Sequence, residues 1–102
     1  MKTYVFMIYK KRTYTKPKPK ELGVVKMLNA ELIGKVIQRK REQKKLSQEV
    51  ISGLAGIGRT HLSAIERGER KPTLETFFKI AEALNIRPST LLAEIENELE
   101  NK

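Results

Sequence analysis

The stretch Ser47-Gln48-Glu49-Val50-Ile51-Ser52-Gly53-Leu54-Ala55-Gly56-Ile57-Gly58-Arg59-Thr60-His61-Leu62-Ser63-Ala64-Ile65-Glu66-Arg67-Gly68 decides how the chain is organised. Ser47 is an N-cap type, a hydroxyl that accepts from a free amide of the first helical turn. Leu46 before it and Ile51 at the N4 position suit a hydrophobic staple. The helix so started is short, from about Gln48 to Ala55, because Gly56-Ile57-Gly58 breaks it. A further helix follows from about Arg59 to Arg67, and Gly68 can close it in the left-handed conformation. Leu62 and Ile65 form its inner, core-facing side.

The same signals continue on both sides. Upstream, Asn29 caps a helix running to about Lys44, with Glu31 near the positive end of its dipole. Leu32, Ile33, Val36 and Ile37 recur at helical spacing, whereas Gln38 to Lys45 is almost wholly polar. Downstream, Thr73 caps a fourth helix whose apolar face is Leu74, Phe77, Phe78, Ala81 and Leu84, and Asn85 ends it. Phe77 and Phe78 read as core residues and not as a stacking platform. Pro88 suits the first position of a fifth helix carrying Leu91, Leu92, Ile95 and Leu99. Five short helices, with no strand pattern after residue 10 and no internal repeat, predict an all-α domain.

The chain has 102 residues, enough for one domain, and a net charge of +9 from 21 Lys and Arg against 12 Asp and Glu. That balance favours a polyanionic partner or an acidic membrane surface. The absence of Cys excludes disulfides, Cys-ligated zinc and thiol catalysis, and the single His61 is too little for a metal cluster. No metal or cofactor is expected. The charge is uneven. Residues 1–26 carry eight basic groups and one acid, residues 35–71 ten basic and four acidic, and residues 72–102 three basic and six acidic. The domain is basic in front and acidic behind, so its rear is kept off a polyanion.

Three readings of residues 1–26 stand side by side. The apolar run Tyr4 to Tyr9 is a candidate strand, which needs a partner to be stable. The cations from Lys10 to Lys20, interleaved with Pro17 and Pro19, are a candidate arm on DNA phosphates. The third reading makes Met27 the natural start and gives the preceding residues no role. Six apolar residues are too few to span a membrane. The expected division is a basic extension at 1–28, a domain at 29–93 and an acidic helix end at 94–102.

Two helices joined by a tight glycine turn are the pattern of a helix-turn-helix, in which one helix braces and the next enters the major groove. The stretch from Ser47 to Gly68 resembles the Xre/Cro-repressor family. The likeness continues through Arg70-Lys71-Pro72-Thr73-Leu74-Glu75-Thr76, Lys79-Ile80-Ala81-Glu82-Ala83-Leu84 and Leu91-Leu92, covering about residues 29–93. Arg59-Thr60-His61-Leu62-Ser63 also resembles the controller proteins of restriction–modification systems. The resemblance implies a five-helix, lambda-repressor-like DNA-binding domain, here with a basic and potentially strand-forming N-terminal extension.

It also implies roles for residues. Arg59, Thr60, Ser63 and Ala64, at the start of the third helix, would contact bases: Arg59 a guanine, Thr60 or Ser63 by one hydrogen bond, Ala64 or the Thr60 methyl a thymine. Gln48, His61, Arg67, Arg70 and Lys71 would contact phosphates, His61 alternatively a base, with solvated surface positions as the other alternative for each. Arg41 and Glu66 match an ion pair between the first and third helices. Four positions depart from the family pattern: Val50 for Glu, Ser52 for Ala, Gly53 within the second helix, and Gly58 where Ser normally caps the third. Together they predict a somewhat soft motif.

One reading helix covers only about four to five base pairs, which is too little to address a genome. A homodimer on a two-fold symmetric operator is the expected solution, with Leu92, Ile95 and Leu99 of the fifth helix as its interface. The leading expectation is therefore a sequence-specific, double-stranded-DNA-binding transcriptional regulator, cytoplasmic and nucleoid-associated. The alternative is a protein-interaction module of the same shape, an antitoxin or coactivator bridge, with another protein as its partner. An enzyme lacks any nucleophile–base pair, carboxylate dyad or phosphate-cradling loop. With nothing that reads as an inducer-binding domain, activity is expected to follow protein concentration, a partner or cleavage.

Overall fold

A computed structural model describes residues 28–101, and these form five helices without a strand. They are α1 (Ala30–Gln43), α2 (Gln48–Ala55), α3 (Arg59–Glu66), α4 (Leu74–Ala83) and α5 (Pro88–Glu100). The strand and arm readings of residues 1–26 lie outside the described residues.

Local chemistry sets each helix start. Asn29 Oδ1 accepts from the Leu32 amide at 2.7 Å, Ser47 Oγ from Val50 at 3.1 Å, and Thr73 Oγ1 from Thr76 at 3.1 Å. Each bond satisfies one of the amides that a helix leaves without an internal partner. α5 begins on Pro88 with no side-chain cap, as a proline at N1 allows. Asn85, at φ 59°, turns the chain out of α4.

The helices close around one core. α1 supplies Leu32, Ile33, Val36 and Ile37; α2 Ile51 and Ala55; α3 Leu62 and Ile65; α4 Phe77, Ile80, Ala81 and Leu84; and α5 Leu91 and Ile95. α1 packs on α3 and α5, α2 on α3 and α4, and α4 on α5. The motif α2–α3 is therefore clasped between α1 and α4, and burying each large apolar side chain there is worth roughly 1.5–3 kcal/mol.

Two sequence expectations need correction. On α4 the buried stripe is Phe77, Ile80, Ala81 and Leu84, while Leu74 and Phe78 are 71% and 52% exposed. Leu74 sits at the first residue of the helix and overhangs the packed layer, and Phe78 points about 100° away from Phe77. On α5, Ile95 is 1% exposed and belongs to the protomer's own core, with Leu99 half-buried against it. Ile95 is therefore withdrawn from the expected dimer interface.

The cause is that α5 lies along α1. Lys40 Nζ meets Glu94 Oε2 at 2.6 Å and Arg39 Nη2 meets Glu98 Oε2 at 3.3 Å. The acidic face of α5 thus pairs with cations of α1, and the helix runs unbroken across the 93/94 division.

Candidate nucleic-acid interface

The turn between α2 and α3 is tight. Gly56 adopts φ 71°, Gly56 N donates to Gly53 O at 3.2 Å, and Ile57 N donates to Ser52 O at 3.0 Å. These paired bonds consume the last carbonyls of α2 and reverse the chain within three residues. A side chain at Gly56 would meet no neighbour but would be forced into a strained backbone region. Gly58 then precedes α3 without a side-chain cap, leaving the first-turn amides of α3 for water or an anion.

α3 has two unlike sides. Leu62, Ile65 and Glu66 are buried, whereas Arg59, Thr60 and Arg67 are exposed and His61, Ser63 and Ala64 are half-buried. The four residues expected at bases thus lie on the outer side of one helix, beginning at its first residue. Arg59 and Thr60 project at the N-terminal turn, where a guanidinium can form two parallel hydrogen bonds to a guanine edge.

The inner side is held by a buried ion pair. Arg41 Nε donates to Glu66 Oε2 at 2.7 Å and Nη2 donates to Glu66 Oε1 at 2.9 Å. Arg41 Nη1 donates to the Leu46 carbonyl at 2.7 Å, and Gln48 Nε2 donates to Glu66 Oε1 at 2.9 Å. Arg41 and Glu66 are only 9% and 6% exposed. Glu66 raises the already high pKa of Arg41, chiefly through their hydrogen bonds, with burial opposing it. The Glu66 carboxylate therefore joins α3 to α1 and the start of α2, while Arg41 ties in the loop before α2. Gln48 was expected at a phosphate, but one donor of its amide is committed to Glu66. Its second N–H and the free amides at the start of α2 are what it has left to offer an anion.

Spacing alone does not expose two features of this surface. The first is Gly34, in the middle of α1: a β-carbon built there would sit 2.1 Å from Ile65 O and 2.7 Å from Glu66 O. The backbones of α1 and α3 touch at this point, and a glycine inside an otherwise regular helix is the available signal. The second is Glu69, which receives Arg67 Nε and Nη2, each at 2.9 Å, while Arg67 Nη1 donates to the Ser63 hydroxyl. Arg70 and Lys71 are exposed and enter no ion pair among the described residues.

The family model for helix-turn-helix domains, HTH_3, matches residues 37–91, which span the Arg41–Glu66 pair, α2, the turn and α3. The chain belongs to the helix-turn-helix family. An uncharacterized HTH-type transcriptional regulator of Sinorhizobium fredii is 38% identical over 55 residues, covering 54% of this chain and 71% of that protein. Control protein C.SmaI of Serratia marcescens is 36% identical over 62 residues, covering 61% of this chain and 74% of that one. The crystal structure of the restriction–modification controller protein C.AhdI from Aeromonas hydrophila superposes with a TM-score of 0.59 at 35% identity, covering 61% of this chain and 94% of that one. The expected all-α, five-helix fold and the expected likeness to controller proteins both hold for this member of the helix-turn-helix family. Its described residues contain no helix long and apolar enough to cross a membrane.

Proposed function

We propose that the chain is a sequence-specific, double-stranded-DNA-binding transcriptional regulator and not an enzyme, acting on the nucleoid in the cytoplasm as a homodimer. The carrying observation is that α3 is fastened from behind through Glu66 while Arg59 and Thr60 stand free at its front end. A rigid helix presenting polar and basic side chains on one face is what base reading in a major groove requires. The relatives, named as a transcriptional regulator and as control or controller proteins, support this reading. In it Arg59, Thr60, Ser63 and Ala64 meet bases, while His61, Arg67, Arg70, Lys71 and the start of α2 meet phosphates.

The test is selection of sheared genomic DNA by the full chain, run beside an Arg59→Ala, Thr60→Ala variant. A two-fold symmetric site enriched by the native chain and lost in the variant, with weak salt-sensitive binding kept, is the expected result. Losing one bidentate guanine pair costs about 1–3 kcal/mol per half-site. Enrichment of the same site by both proteins would remove Arg59 and Thr60 from base reading.

With Ile95 buried at the floor of an apolar groove, the interface moves to the exposed leucines around that groove. Leu92, Leu74 and Leu28 are 49%, 71% and 42% exposed and line one groove of about 150 Å³ together with Pro72 and Phe77. A second copy covering this groove would bury three large leucines, and a dimer reading a two-fold operator must place its two α3 helices on half-sites about 34 Å apart. Leu92→Arg is expected to halve the mass seen by sedimentation equilibrium and to abolish recovery of symmetric sites while leaving weak DNA binding. An unchanged mass places the interface elsewhere.

A further inference from the structure

Three polar side chains at the far end of α3 are tied to one another. Both Nε and Nη2 of Arg67 point into the carboxylate of Glu69 at 2.9 Å, and Nη1 reaches the Ser63 hydroxyl. A planar carboxylate spanning one edge of a guanidinium offers it the same pair of oxygens that a phosphate offers. The Arg67 guanidinium holds the Glu69 carboxyl below the usual carboxylate range, first through these hydrogen bonds and then through charge. The two side chains are 53% and 59% exposed, so no packing locks the pair against exchange. Glu69 is also the one acid in Arg67-Gly68-Glu69-Arg70-Lys71, a stretch otherwise suited to a polyanion.

We infer that Glu69 is a built-in competitor for the DNA backbone, an intramolecular anion that occupies the phosphate-binding edge of Arg67 in the free protein. It thereby sets how readily the domain binds duplex of any sequence. The inference rests on the DNA-binding reading above and adds to it a residue that opposes binding. On a duplex, Arg67 exchanges a carboxylate for a phosphate. The phosphate gives up a condensed cation, but salt also screens the exposed ion pair that Arg67 must leave, so the two salt dependences partly cancel. With residue 69 neutral, the same contact releases about 0.9 cation uncompensated.

The experiment titrates four full-length proteins (native, Glu69→Gln, Arg67→Gln and the double variant) onto a random-sequence duplex over a series of salt concentrations. Glu69→Gln is expected to bind roughly two- to five-fold more tightly at low salt, the range that an exposed ion pair can supply. Its log–log salt dependence should steepen by up to about 0.9. In the Arg67→Gln background the same change should do almost nothing, because there is no guanidinium left to release. Equal gains in both backgrounds would overturn the inference, since Glu69 would then act only as a negative charge near DNA. Weaker binding by Glu69→Gln would overturn it too, and would point to the carboxylate accepting from a base such as the cytosine amino group. If the native chain binds no duplex at any salt concentration, the DNA-binding reading itself fails and takes the inference with it.

Discussion

Gly34→Ala should cost about 3 kcal/mol or more, a large share of the stability of a domain this size, or displace α3. The added methyl group has nowhere to go. It would lie 2.1 Å from Ile65 O, 2.7 Å from Glu66 O and 2.9 Å from Glu66 C, all main-chain atoms of α3. A flexible side chain could swing away from such an overlap, but a helix backbone has to move as a body. Moving it would pull Leu62 and Ile65 out of the core and stretch the bonds between Arg41 and Glu66. Alanine also favours a helix over glycine by about 1 kcal/mol, so any measured loss understates the clash.

A second glycine provides the control. Gly53, inside α2, has nothing within 4 Å of a built β-carbon. Gly53→Ala should therefore stabilise the domain by roughly 0.5–1 kcal/mol. Urea unfolding of the two variants beside the native chain checks both signs. Equal, small effects from the two substitutions would show that α1 and α3 do not meet as closely as described.

The contrast between these glycines shows what was legible in the sequence. Helix starts were open to inspection because capping is local. Asn29, Ser47 and Thr73 each bond an amide three residues on, and no other part of the chain is involved. The turn at Gly56 was legible for the same reason. What spacing could not supply was the identity of the neighbour across a gap. Gly34 and Gly53 look alike in sequence, yet one touches a backbone and the other touches nothing. Phe77 and Phe78 are adjacent and chemically identical, yet only Phe77 falls under the packed layer. The apolar stripe of a helix fixes its centre from periodicity, whereas its width depends on which helix lies over it.

The candidate site divides in the same way. Arg41 and Glu66 were brought together by family likeness, not by any local signal, since 25 residues separate them. Gln48 as a partner of Glu66, and Glu69 as the partner of Arg67, were not foreseen. Both are side-chain pairings in which a polar group expected to face a phosphate finds a protein anion first. The acidic run on α5 was expected only to keep the rear of the domain off DNA, and it also fastens α5 to Lys40 and Arg39.

The second large effect belongs to the buried pair. Arg41→Met should destabilise the domain by about 3–5 kcal/mol, because it leaves the Glu66 carboxylate buried with only Gln48 as a donor. Glu66→Leu alone should be comparably harmful, leaving the Arg41 guanidinium hydrogen-bonded to one carbonyl, with only the more exposed Glu42 carboxylate nearby at 4.0 Å. The double variant, Arg41→Met with Glu66→Leu, should recover most of that loss, since two apolar side chains of similar volume need no partners. Its recovery separates the energetic role of the pair from its geometric one. Stability should return, but the carboxylate that ties α3 to Gln48 and the guanidinium that ties α1 to the Leu46 carbonyl are gone. The refolded double variant is therefore expected to keep weak, salt-sensitive DNA binding and lose enrichment of a defined site. Because folding raises the pKa of Arg41, the part of the pair's contribution that depends on the guanidinium is fully present through the neutral range and fades only as pH rises through that raised value. Denaturation curves at neutral pH, together with genomic selection by the double variant, decide the matter. If the double variant selects the same site as the native chain, apolar packing alone orients α3 and the ion pair contributes nothing to reading.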